Sequence, residues 1–338
     1  MSRTRRPRAL LVAGLCSLAL ACGSSTPATL AAQLCHWEDH PGNPLIEPPP
    51  GESLVGDPTL LTPAEAPDGR WHLFANSLLG LQHYTSTDGL AFTQVQRNLF
   101  GPGSFRPFLF QDGGRYHLFF ESFLSLGLDR SEVRRSESTD LVTFSEPVTV
   151  LAPELAWEME GGRRTLGNPS VSRRDGRYWL YYSASGVLLP DVNFYEPRYV
   201  GLARADSLAG PWTRETEPIL RPSAGDALAN MGAGSFKLLD DSVGTTRLAL
   251  QNGIYNDGAG HSRSAIRVLS STDGLHWSAV CDGAVVAPGG SGWKSAFVYA
   301  FDTARVGDEL RVYFNAREGW TTPGIERIGM ARLRWPKP

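Results

Sequence analysis

The strongest constraint on the fold of this 338-residue chain is a strand-and-turn unit that recurs five times. The units follow one another at roughly 45–65 residues, a period typical of repeat architectures. An apolar, proline-containing segment precedes each unit, at residues 44–48, 98–102, 148–153, 218–222 and 284–288. A chain with this self-similarity is expected to fold as an array of equivalent supersecondary units.

Within a unit the sequence predicts short strands separated by tight turns. Asp68-Gly69 and Asp175-Gly176 are strong hairpin signals between first and second strands, because glycine accepts a positive φ. Third strands end in turns of the Ser-Thr-Asp kind, and fourth strands open on an aromatic residue: Phe92, Phe144, Trp212 or Trp277. Four strands per unit, repeated radially, predict an all-β fold, a five-bladed β-propeller with four-stranded blades.

The fifth unit stops after its third strand, so its outer strand has to come from elsewhere in the chain. Near the N-terminus, Trp37 and residues 44–48 repeat the pattern of Trp277 and residues 284–288. We therefore predict that an N-terminal strand completes blade 5 and closes the ring, which removes an exposed sheet edge.

Composition agrees with many short strands and disfavours some partners. The chain has 9 Trp, 10 Tyr and 15 Phe together with 36 Gly and 24 Pro, a mixture that suits strands joined by tight turns. Its net charge of −3 gives no electrostatic reason to expect nucleic acid or an anionic membrane surface as a partner.

The first residues predict export. Arginines at positions 3, 5, 6 and 8 precede an apolar stretch at residues 9–21 that is too short to span a bilayer. We interpret residues 1–21 as a signal peptide, residues 22–34 as a tether and residues 35–338 as the propeller domain. Residues 18–25 resemble a bacterial lipobox, which makes Cys22 a candidate for lipid attachment, with plain secretion as the alternative. The protein is thus expected in the bacterial cell envelope or secreted, with a lipid anchor as its one membrane contact.

Two cysteines remain for a disulfide if Cys16 leaves with the signal peptide and Cys22 is lipidated. These are Cys35 and Cys281, which are able to pair in an oxidising compartment. In the predicted ring, Cys35 precedes the outer strand of blade 5 and Cys281 follows the outer strand of blade 4. Adjacent blades bring the two near each other, and a bridge requires their Cα atoms to lie within about 7 Å.

The starts of the first strands are candidate site positions, because the first strand of each propeller blade lines the central axis. Asp57, Arg106 and Asn168 precede a proline at the first strand of the first three units. The second strands end in a polar residue in every unit: Asn76, Glu121, Ser183, Gln251 and Asn315. We expect strand pairing to bring some of these side chains to one end of the axis.

Several short motifs point to a known clan. They are Gly-Asp-Pro at residues 56–58, the Asp-Gly-Arg hairpins, the Ser-Thr-Asp-Gly-Leu turns and Ser-Leu-Ala-Gly-Pro-Trp at residues 207–212. Together they resemble the five-bladed glycoside hydrolases that include family 43 arabinanases and xylosidases and the invertase and levansucrase families, over about residues 40–335. The resemblance implies three acids, one from each of the first three blades, that act as general base, pKa modulator and general acid. By position, Asp57 matches the first acid, as base or nucleophile.

The other two acids of that pattern are replaced. Arg106 occupies the place of the blade-2 acid, and Asn168 stands near the place of the blade-3 acid. Glycoside cleavage normally needs two carboxyl groups, one to protonate the leaving oxygen and one to activate water or attack carbon. Glu121, the only acid among the second-strand ends, is the first candidate for the second catalytic carboxyl. Weaker candidates lie on the long connections around blade 3: Glu158, Glu160 and Glu196.

The candidate substrate-binding residues are polar side chains expected near the pocket: Arg106, Asn168, His83, Asn76, Asn315, Arg317 and Glu326. Arg106 is suited to hold a carboxylate or phosphate with two hydrogen bonds, or it pairs with Glu121 and holds two blades together. His83 also fits a structural role, and Glu326 also fits an ion network between blades. The sequence has no zinc-site spacing of His or Cys, no Gly-x-Ser-x-Gly elbow and no phosphate-binding glycine loop. We therefore expect neither a metal nor a cofactor.

Two main functional hypotheses follow. The first is an exported glycoside hydrolase that acts on a furanoside- or pentose-containing glycan, with Asp57 as base or nucleophile and Glu121 as acid. The alternative is a carbohydrate-binding propeller on the cell surface without catalytic activity, since two of the expected acids are replaced. A third and weaker hypothesis is transfer to phosphate, with Arg106 holding the anion. The expected partner is a carbohydrate, and we expect a monomer.

Overall fold

The computed structural model describes residues 33–243, 245–289, 292–320 and 324–335. The predicted signal peptide, Cys22 and most of the predicted tether lie outside the described residues. In the described part of the chain the secondary structure is almost entirely β, together with a 3₁₀ helix at Ala156–Gly162. The predicted all-β class is confirmed.

The strands reproduce the sequence repeat, and we number the repeat units 1 to 5. A two-residue strand, β1 (Glu38–Asp39), precedes them. Unit 1 contains β2 (Gly56–Leu61), β3 (Trp71–Ser77), β4 (Gly80–Ser86) and β5 (Thr93–Leu99). Unit 2 contains β6 (Ser104–Asp112), β7 (Arg115–Phe123), β8 (Ser131–Ser138) and β9 (Val148–Leu151). Unit 3 contains β10 (Leu166–Arg174), β11 (Arg177–Ala184), an inserted hairpin of β12 (Val187–Leu189) and β13 (Phe194–Glu196), then β14 (Tyr199–Ala205) and β15 (Thr213–Arg214). Unit 4 contains β16 (Gly232–Val243), β17 (Thr246–Asn256), β18 (Ser262–Ser271) and β19 (Ser278–Ala279), and unit 5 contains β20 (Phe297–Val306), β21 (Glu309–Arg317) and β22 (Glu326–Arg334).

Units 1, 2 and 3 are separate four-stranded sheets, with strand orders β2-β3-β4-β5, β6-β7-β8-β9 and β10-β11-β14-β15. Units 4 and 5 belong to one eight-stranded sheet, whose two halves are joined by a parallel bridge between Ser264 and Phe297. The pairings between successive strands of each unit are antiparallel, as in a meander. Repeated four-stranded meanders of this kind are consistent with propeller blades.

The N-terminal strand belongs to unit 5. β1 pairs antiparallel with β22, with Glu38 opposite Arg332 and Asp39 opposite Ala331, so it supplies the fourth strand of that unit. Just before it, Cys35 forms a disulfide with Cys281, with the two Cα atoms 5.6 Å apart. Since Cys281 follows β19, the disulfide ties the outer strands of units 4 and 5 together.

The second strands show why the sheets are apolar on both faces. Side chains alternate between the two faces of a strand, and in β7 both sets are buried. Leu118 and Phe120 pack against Phe74 of unit 1, whereas Phe119 packs in the cluster shared with unit 3. A strand covered on both faces reads as a nearly continuous apolar run, which is what residues 116–120 show.

The buried clusters connect the units in a cycle. Five clusters lie between units 1 and 2, 2 and 3, 3 and 4, 4 and 5, and 5 and 1 of the described chain. The first strands also contact one another in order, β2 with β6, β6 with β10, β10 with β16, β16 with β20, and β20 with β2. The first strands therefore surround one central axis, and residues at their starts meet at one end of it.

Candidate functional site

All five first strands have an irregularity near their start. The pairing register shifts between Gly56 and Thr59 in unit 1, and the equivalent shifts occur in the other units between residues 105 and 108, 167 and 170, 233 and 236, and 298 and 301. A bulge of this kind bends the strand and redirects a side chain. Because the shift recurs at the same place in every unit, it presents one set of side chains towards the axis.

At three of these bulges, a residue other than glycine has a left-handed backbone conformation. Asp57, Arg106 and Asn168 have φ values of 51°, 51° and 45°, although each precedes a proline. Left-handed backbone at residues other than glycine costs on the order of 1–3 kcal/mol and tends to occur at functional sites. Three positions that the sequence predicted for the axis are thus among those with left-handed backbone.

The bulges surround a cavity of about 120 Å³, which we call the axial pocket. Its lining is rich in side chains with hydrogen-bonding groups: Asp57, Asn76, Arg106, Asn168, Glu196, Asn252, Tyr299, Asn315 and Glu326. A small concave site with many convergent polar groups is the usual form of a site for a polar ligand. Six of the predicted site residues, Asp57, Arg106, Asn168, Asn76, Asn315 and Glu326, lie here together.

Two buried asparagines of the pocket hold the neighbouring unit's bulge. Asn315 of unit 5 accepts a hydrogen bond from the backbone N–H of Asp57 at 3.1 Å, and Asn76 of unit 1 accepts one from the backbone N–H of Arg106 at 2.7 Å. Asn252 of unit 4 acts similarly by donating to Val298 O of unit 5 at 2.7 Å. Asn76 and Asn315 line the pocket as predicted, and each holds the backbone of the neighbouring unit, so we give them a positioning role.

Arg106 forms a buried ion pair with Glu121. Glu121 is 1% exposed, and its other carboxylate oxygen accepts a hydrogen bond from Ser131 Oγ at 2.6 Å. A side chain at Gly167 would collide with Glu121, so the glycine allows the unit-3 bulge to approach it closely. The pair therefore has a structural role, but both residues lie in unit 2, so it ties neighbouring strands of one blade and does not join two blades as expected. It also leaves less of Arg106 for a phosphate.

Glu196, one of the weaker acid candidates, is a carboxyl of the axial pocket. It lies at the end of β13, in the hairpin inserted between the second and third strands of unit 3, and it enters the axial pocket from the rim. Burial raises the pKa of Glu196 to about 8, against the opposing charge of Arg106. A carboxyl with this pKa carries its proton at neutral pH.

Asp57 and Glu326 complete a group of three carboxyls around the pocket. Burial raises the pKa of Asp57 above its ordinary value, although the positive charge of Arg106 opposes the shift. Burial and then repulsion from Asp57 raise the pKa of Glu326 to about 7. Glu326 lies opposite Arg317 in the β21–β22 pairing and accepts a hydrogen bond from Asn315 Nδ2 at 3.0 Å. Pairs of carboxyls whose environments set different pKa values are the usual basis of acid–base chemistry.

His83 does not reach the pocket mouth, contrary to its predicted role in substrate binding. It is buried in β4 of unit 1, where its ring stacks on Phe74 with centroids 4.1 Å apart and its Nε2 lies 2.8 Å from His72 Nδ1. Burial lowers the pKa of His83 to about 3, so the ring stays neutral. The histidine is a packing residue of the blade.

The weaker acid candidates on the 3₁₀ helix have structural partners. Glu158 is buried, accepts the phenolic hydrogen of Tyr182 at 2.7 Å and accepts the backbone N–H of Leu155 at 2.9 Å. Glu160 accepts the phenolic hydrogen of Tyr199 at 2.5 Å. These bonds hold the 3₁₀ helix against unit 3, and neither carboxyl lines the axial pocket.

Two further predicted residues support the walls of the site. Asn168 donates a hydrogen bond to Ser183 Oγ at 2.9 Å, which fixes its amide across the unit-3 hairpin. Arg317 is buried, and its guanidinium lies 5.0 Å from the centre of the Phe194 ring. Since Phe194 belongs to β13, Arg317 contacts the hairpin that carries Glu196.

A second ion pair joins the first strands of units 4 and 5. Lys237 Nζ of unit 4 lies 3.4 Å from Asp302 Oδ1 of unit 5. Asp302 Oδ2 also accepts hydrogen bonds from Thr59 Oγ1 at 2.8 Å and from the backbone N–H of Leu60 at 3.1 Å. Thr59 is two residues beyond Asp57, so this buried network fixes the strand that presents Asp57.

The Arg106–Glu121 pair makes a testable contribution to stability. Glu121→Gln removes the counter-charge of a largely buried guanidinium, and we expect it to lower the free energy of unfolding by about 3 kcal/mol in urea titrations. Glu146→Gln, an exposed substitution in the same unit, should change it by less than about 0.5 kcal/mol. Equal stability of the two variants would mean that the pair does not stabilise unit 2.

In the described ranges no group of three or more His, Cys, Asp or Glu side chains is arranged to hold a metal ion. Within the same ranges no helix has the length and apolar character needed to cross a membrane.

In its fold the chain resembles one class of protein, the glycoside hydrolases of propeller type. A sequence model described as Glycosyl hydrolases family 43 matches residues 101–228, which include units 2 and 3. No curated protein sequence matches the chain.

Solved structures share the fold at low sequence identity. An N-acetylgalactosamine deacetylase from F. plautii, in complex with blood group B trisaccharide, is similar with a TM-score of 0.64 and 15% identity over 88% of this chain and 95% of that one. A β-1,2-mannobiose phosphorylase from Listeria innocua has a TM-score of 0.63 and 14% identity over 88% and 96%. An exo-1,5-α-L-arabinanase from a bovine ruminal metagenomic library has a TM-score of 0.55 and 13% identity over 85% and 94%. These neighbours share the fold with different activities, so the site has to carry the functional argument.

Proposed function

We propose that the protein is a five-bladed propeller, closed by β1, and an exported glycoside hydrolase of furanoside- or pentose-containing glycans. The observation that carries the enzymatic part is the group of carboxyls with raised pKa values, Asp57, Glu196 and Glu326, around the axial pocket. The cyclic contacts of the first strands support the ring. The family 43 match supports the reaction class.

The catalytic roles are divided between two residues. Asp57, beside the Arg106 guanidinium, is the base that activates water or the nucleophile that attacks the anomeric carbon. Glu196, protonated at neutral pH, transfers its proton to the leaving glycosidic oxygen as the bond to the anomeric carbon breaks. The acid role that the sequence suggested for Glu121 passes to Glu196, because Glu121 is buried in its ion pair with Arg106.

The size of the axial pocket favours the binding of one sugar residue at a time. Its volume is about 120 Å³, and its many polar side chains suit the hydroxyl groups of a small ring. The amide of Asn168 and the carboxyl of Glu326 are able to hydrogen-bond sugar hydroxyls there. We therefore propose cleavage of terminal residues.

Export is supported by the cysteine chemistry. The Cys35–Cys281 disulfide suits an oxidising compartment. Together with the basic and apolar N-terminal segment, it favours the bacterial cell envelope or secretion, with lipid attachment at Cys22 as the anchor.

A second candidate function is carbohydrate binding without turnover. It is favoured by Arg106 and Asn168, which occupy axial positions where the resembling families have acids. In this case the raised carboxyls only hydrogen-bond the ligand.

Turnover on defined glycans separates the two functions. The purified protein is incubated with arabino-, xylo- and fructo-type oligosaccharides, and released monosaccharide is measured by chromatography together with equilibrium binding by calorimetry. Release of a single sugar type, with no phosphate in the buffer, is the expected result. Saturable binding with no release over long incubation would replace the hydrolase by the binding protein.

A further inference from the structure

A second cavity opens beside the axial pocket and differs from it in chemistry. This side cleft has a volume of about 290 Å³. Its apolar wall is formed by Phe105, Phe123, Leu128, Phe194, Tyr195 and Pro197. The two cavities share Phe105, Arg106, Glu196 and Pro197, so they are adjacent.

The hydroxyl groups in the side cleft are already engaged. Thr165 Oγ1 donates its hydrogen to Ser185 O at 3.2 Å, and Ser185 Oγ donates its own to Glu160 O at 2.7 Å. The Ser183 hydroxyl accepts the Asn168 amide. Two of these three hydroxyls, Thr165 and Ser185, have already donated their hydrogens, so the cleft offers a sugar fewer donors than a site of convergent polar groups would.

Two charged groups of the cleft, Glu121 and Arg163, are bound to groups of the protein itself. Glu121 is held by Arg106 and Ser131. The Arg163 guanidinium lies over the Tyr195 ring, 4.3 Å from its centre, and donates to Leu128 O. The stacked arginine and the T-shaped pair of Phe105 and Phe123, 5.6 Å between ring centres, leave an aromatic and aliphatic surface facing the cleft.

The position of the proposed acid tells which part of a substrate faces this surface. Glu196 lines both cavities. Asp57 lines the axial pocket but is not among the residues that line the side cleft. A general acid protonates the oxygen of the leaving group, so the leaving group lies on the acid's side and the sugar lies with the base. The side cleft is therefore the leaving-group side of the site.

The apolar surface continues outwards along one loop. Leu124, Leu126 and Leu128 follow β7, and all three are exposed, Leu126 completely. Exposed apolar residues grouped beside a pocket usually mark a place where an apolar partner binds. Of the three, Leu128 lines the cleft itself.

We propose that the natural substrate is a glycoside with an apolar leaving group, an alkyl or aryl aglycone, which binds in the side cleft while its sugar occupies the axial pocket. This inference rests on the proposed function, because the side cleft is assigned to the leaving group through the role of Glu196 as acid. The surface itself, its aromatic walls and its engaged hydroxyls, is independent of that function.

The kinetic test uses ethyl, butyl and hexyl glycosides of arabinofuranose, xylopyranose and fructofuranose. If the cleft buries the chain, KM should fall by about threefold for each added methylene group, whereas kcat changes little. Leu128→Asn should remove most of the gain between butyl and hexyl. Asparagine tolerates the positive φ of 53° at this position, so the variant is expected to fold.

The binding test does not depend on turnover. Fluorescence anisotropy of 4-methylumbelliferone, an aromatic aglycone without sugar, should show saturable binding that Leu128→Asn weakens about fivefold. Leu79→Asn is the matched control, because Leu79 is 47% exposed against 42% for Leu128 but belongs to the unit-1 hairpin outside the cleft. The control should bind 4-methylumbelliferone as the unchanged protein does.

The outcomes separate the inference from the proposed function. Leu128-dependent binding of 4-methylumbelliferone without release of any sugar would keep the apolar site and overturn the hydrolase. Sugar release with a KM independent of chain length, and no aglycone binding, would overturn the apolar site alone.

Displacement of 4-methylumbelliferone by xylobiose or arabinobiose would assign the cleft to a second sugar. Loss of binding to phosphatidylcholine vesicles in Leu128→Asn, with aglycone binding unchanged, would assign the leucines to a lipid surface, and either result would overturn the proposal.

Discussion

Asp57→Asn is expected to lower kcat/KM for sugar release by about 10³-fold, because it removes the carboxylate that activates water or attacks the anomeric carbon. The change should leave the fold intact. The side chain keeps its shape, asparagine tolerates the positive φ of 51°, and the bond that holds this bulge runs from the backbone N–H to Asn315. Initial rates and the thermal unfolding midpoint of the same preparation measure both effects.

Asp175→Asn is the matched control for this variant. Asp175 also has a φ of 51°, but it lies in a turn and its side chain is 78% exposed. The control should keep full activity, since it repeats the chemical change and the backbone conformation away from the pocket. If Asp57→Asn retained activity within a few-fold of the unchanged protein, Asp57 could not be the base or nucleophile.

The fold was largely predictable because its signals are local and repeated. Glycine turns, aromatic openings of the fourth strands and the truncated fifth unit are each visible in a few adjacent residues. The pairing of β1 with β22 follows from the same logic, since an incomplete unit leaves an edge that the only unassigned strand can cover. The axial positions of Asp57, Arg106 and Asn168 follow because they occupy one place in the repeat.

The site was less predictable because its chemistry depends on where units depart from the repeat. Glu196 lies on a hairpin that only unit 3 has, so no alignment of units indicates its position. The extra length between residues 184 and 199 was the available signal. His83 failed as a candidate for the opposite reason, since the face of β4 on which it lies depends on strand register and one residue reverses it.

Polar residues at equivalent positions of the repeat also have different roles, and the repeat pattern does not indicate which role each one has. Asn76 and Asn315 use their amides to hold the backbone of the next unit, whereas Glu121 at the same place holds a side chain. The difference arises because unit 2 contributes an arginine to the axis. A buried guanidinium requires a nearby carboxylate, so the substitution at position 106 determines the role of Glu121.

Glu196→Gln should have the second large effect, and it should appear most clearly in the pH dependence. In the unchanged protein Glu196 must carry its proton to act as acid, so kcat/KM should fall as pH rises above about 8. It should also fall at low pH, where Asp57 becomes protonated at a pH higher than is usual for an aspartate. The variant should lose about 10³-fold on alkyl glycosides and lose the alkaline limb of the profile, because glutamine does not titrate.

Glu326→Gln provides the control that distinguishes the proton donor from a neighbouring charge. The negative charge of Glu326 helps to raise the pKa of Glu196, so its removal should move the alkaline limb to lower pH without abolishing it. A nitrophenyl glycoside adds a second distinction, since nitrophenolate leaves without protonation and should rescue Glu196→Gln for the most part. If the alkaline limb persisted in Glu196→Gln, the proton donor would be another group, and the raised pKa of Glu196 would reflect burial alone.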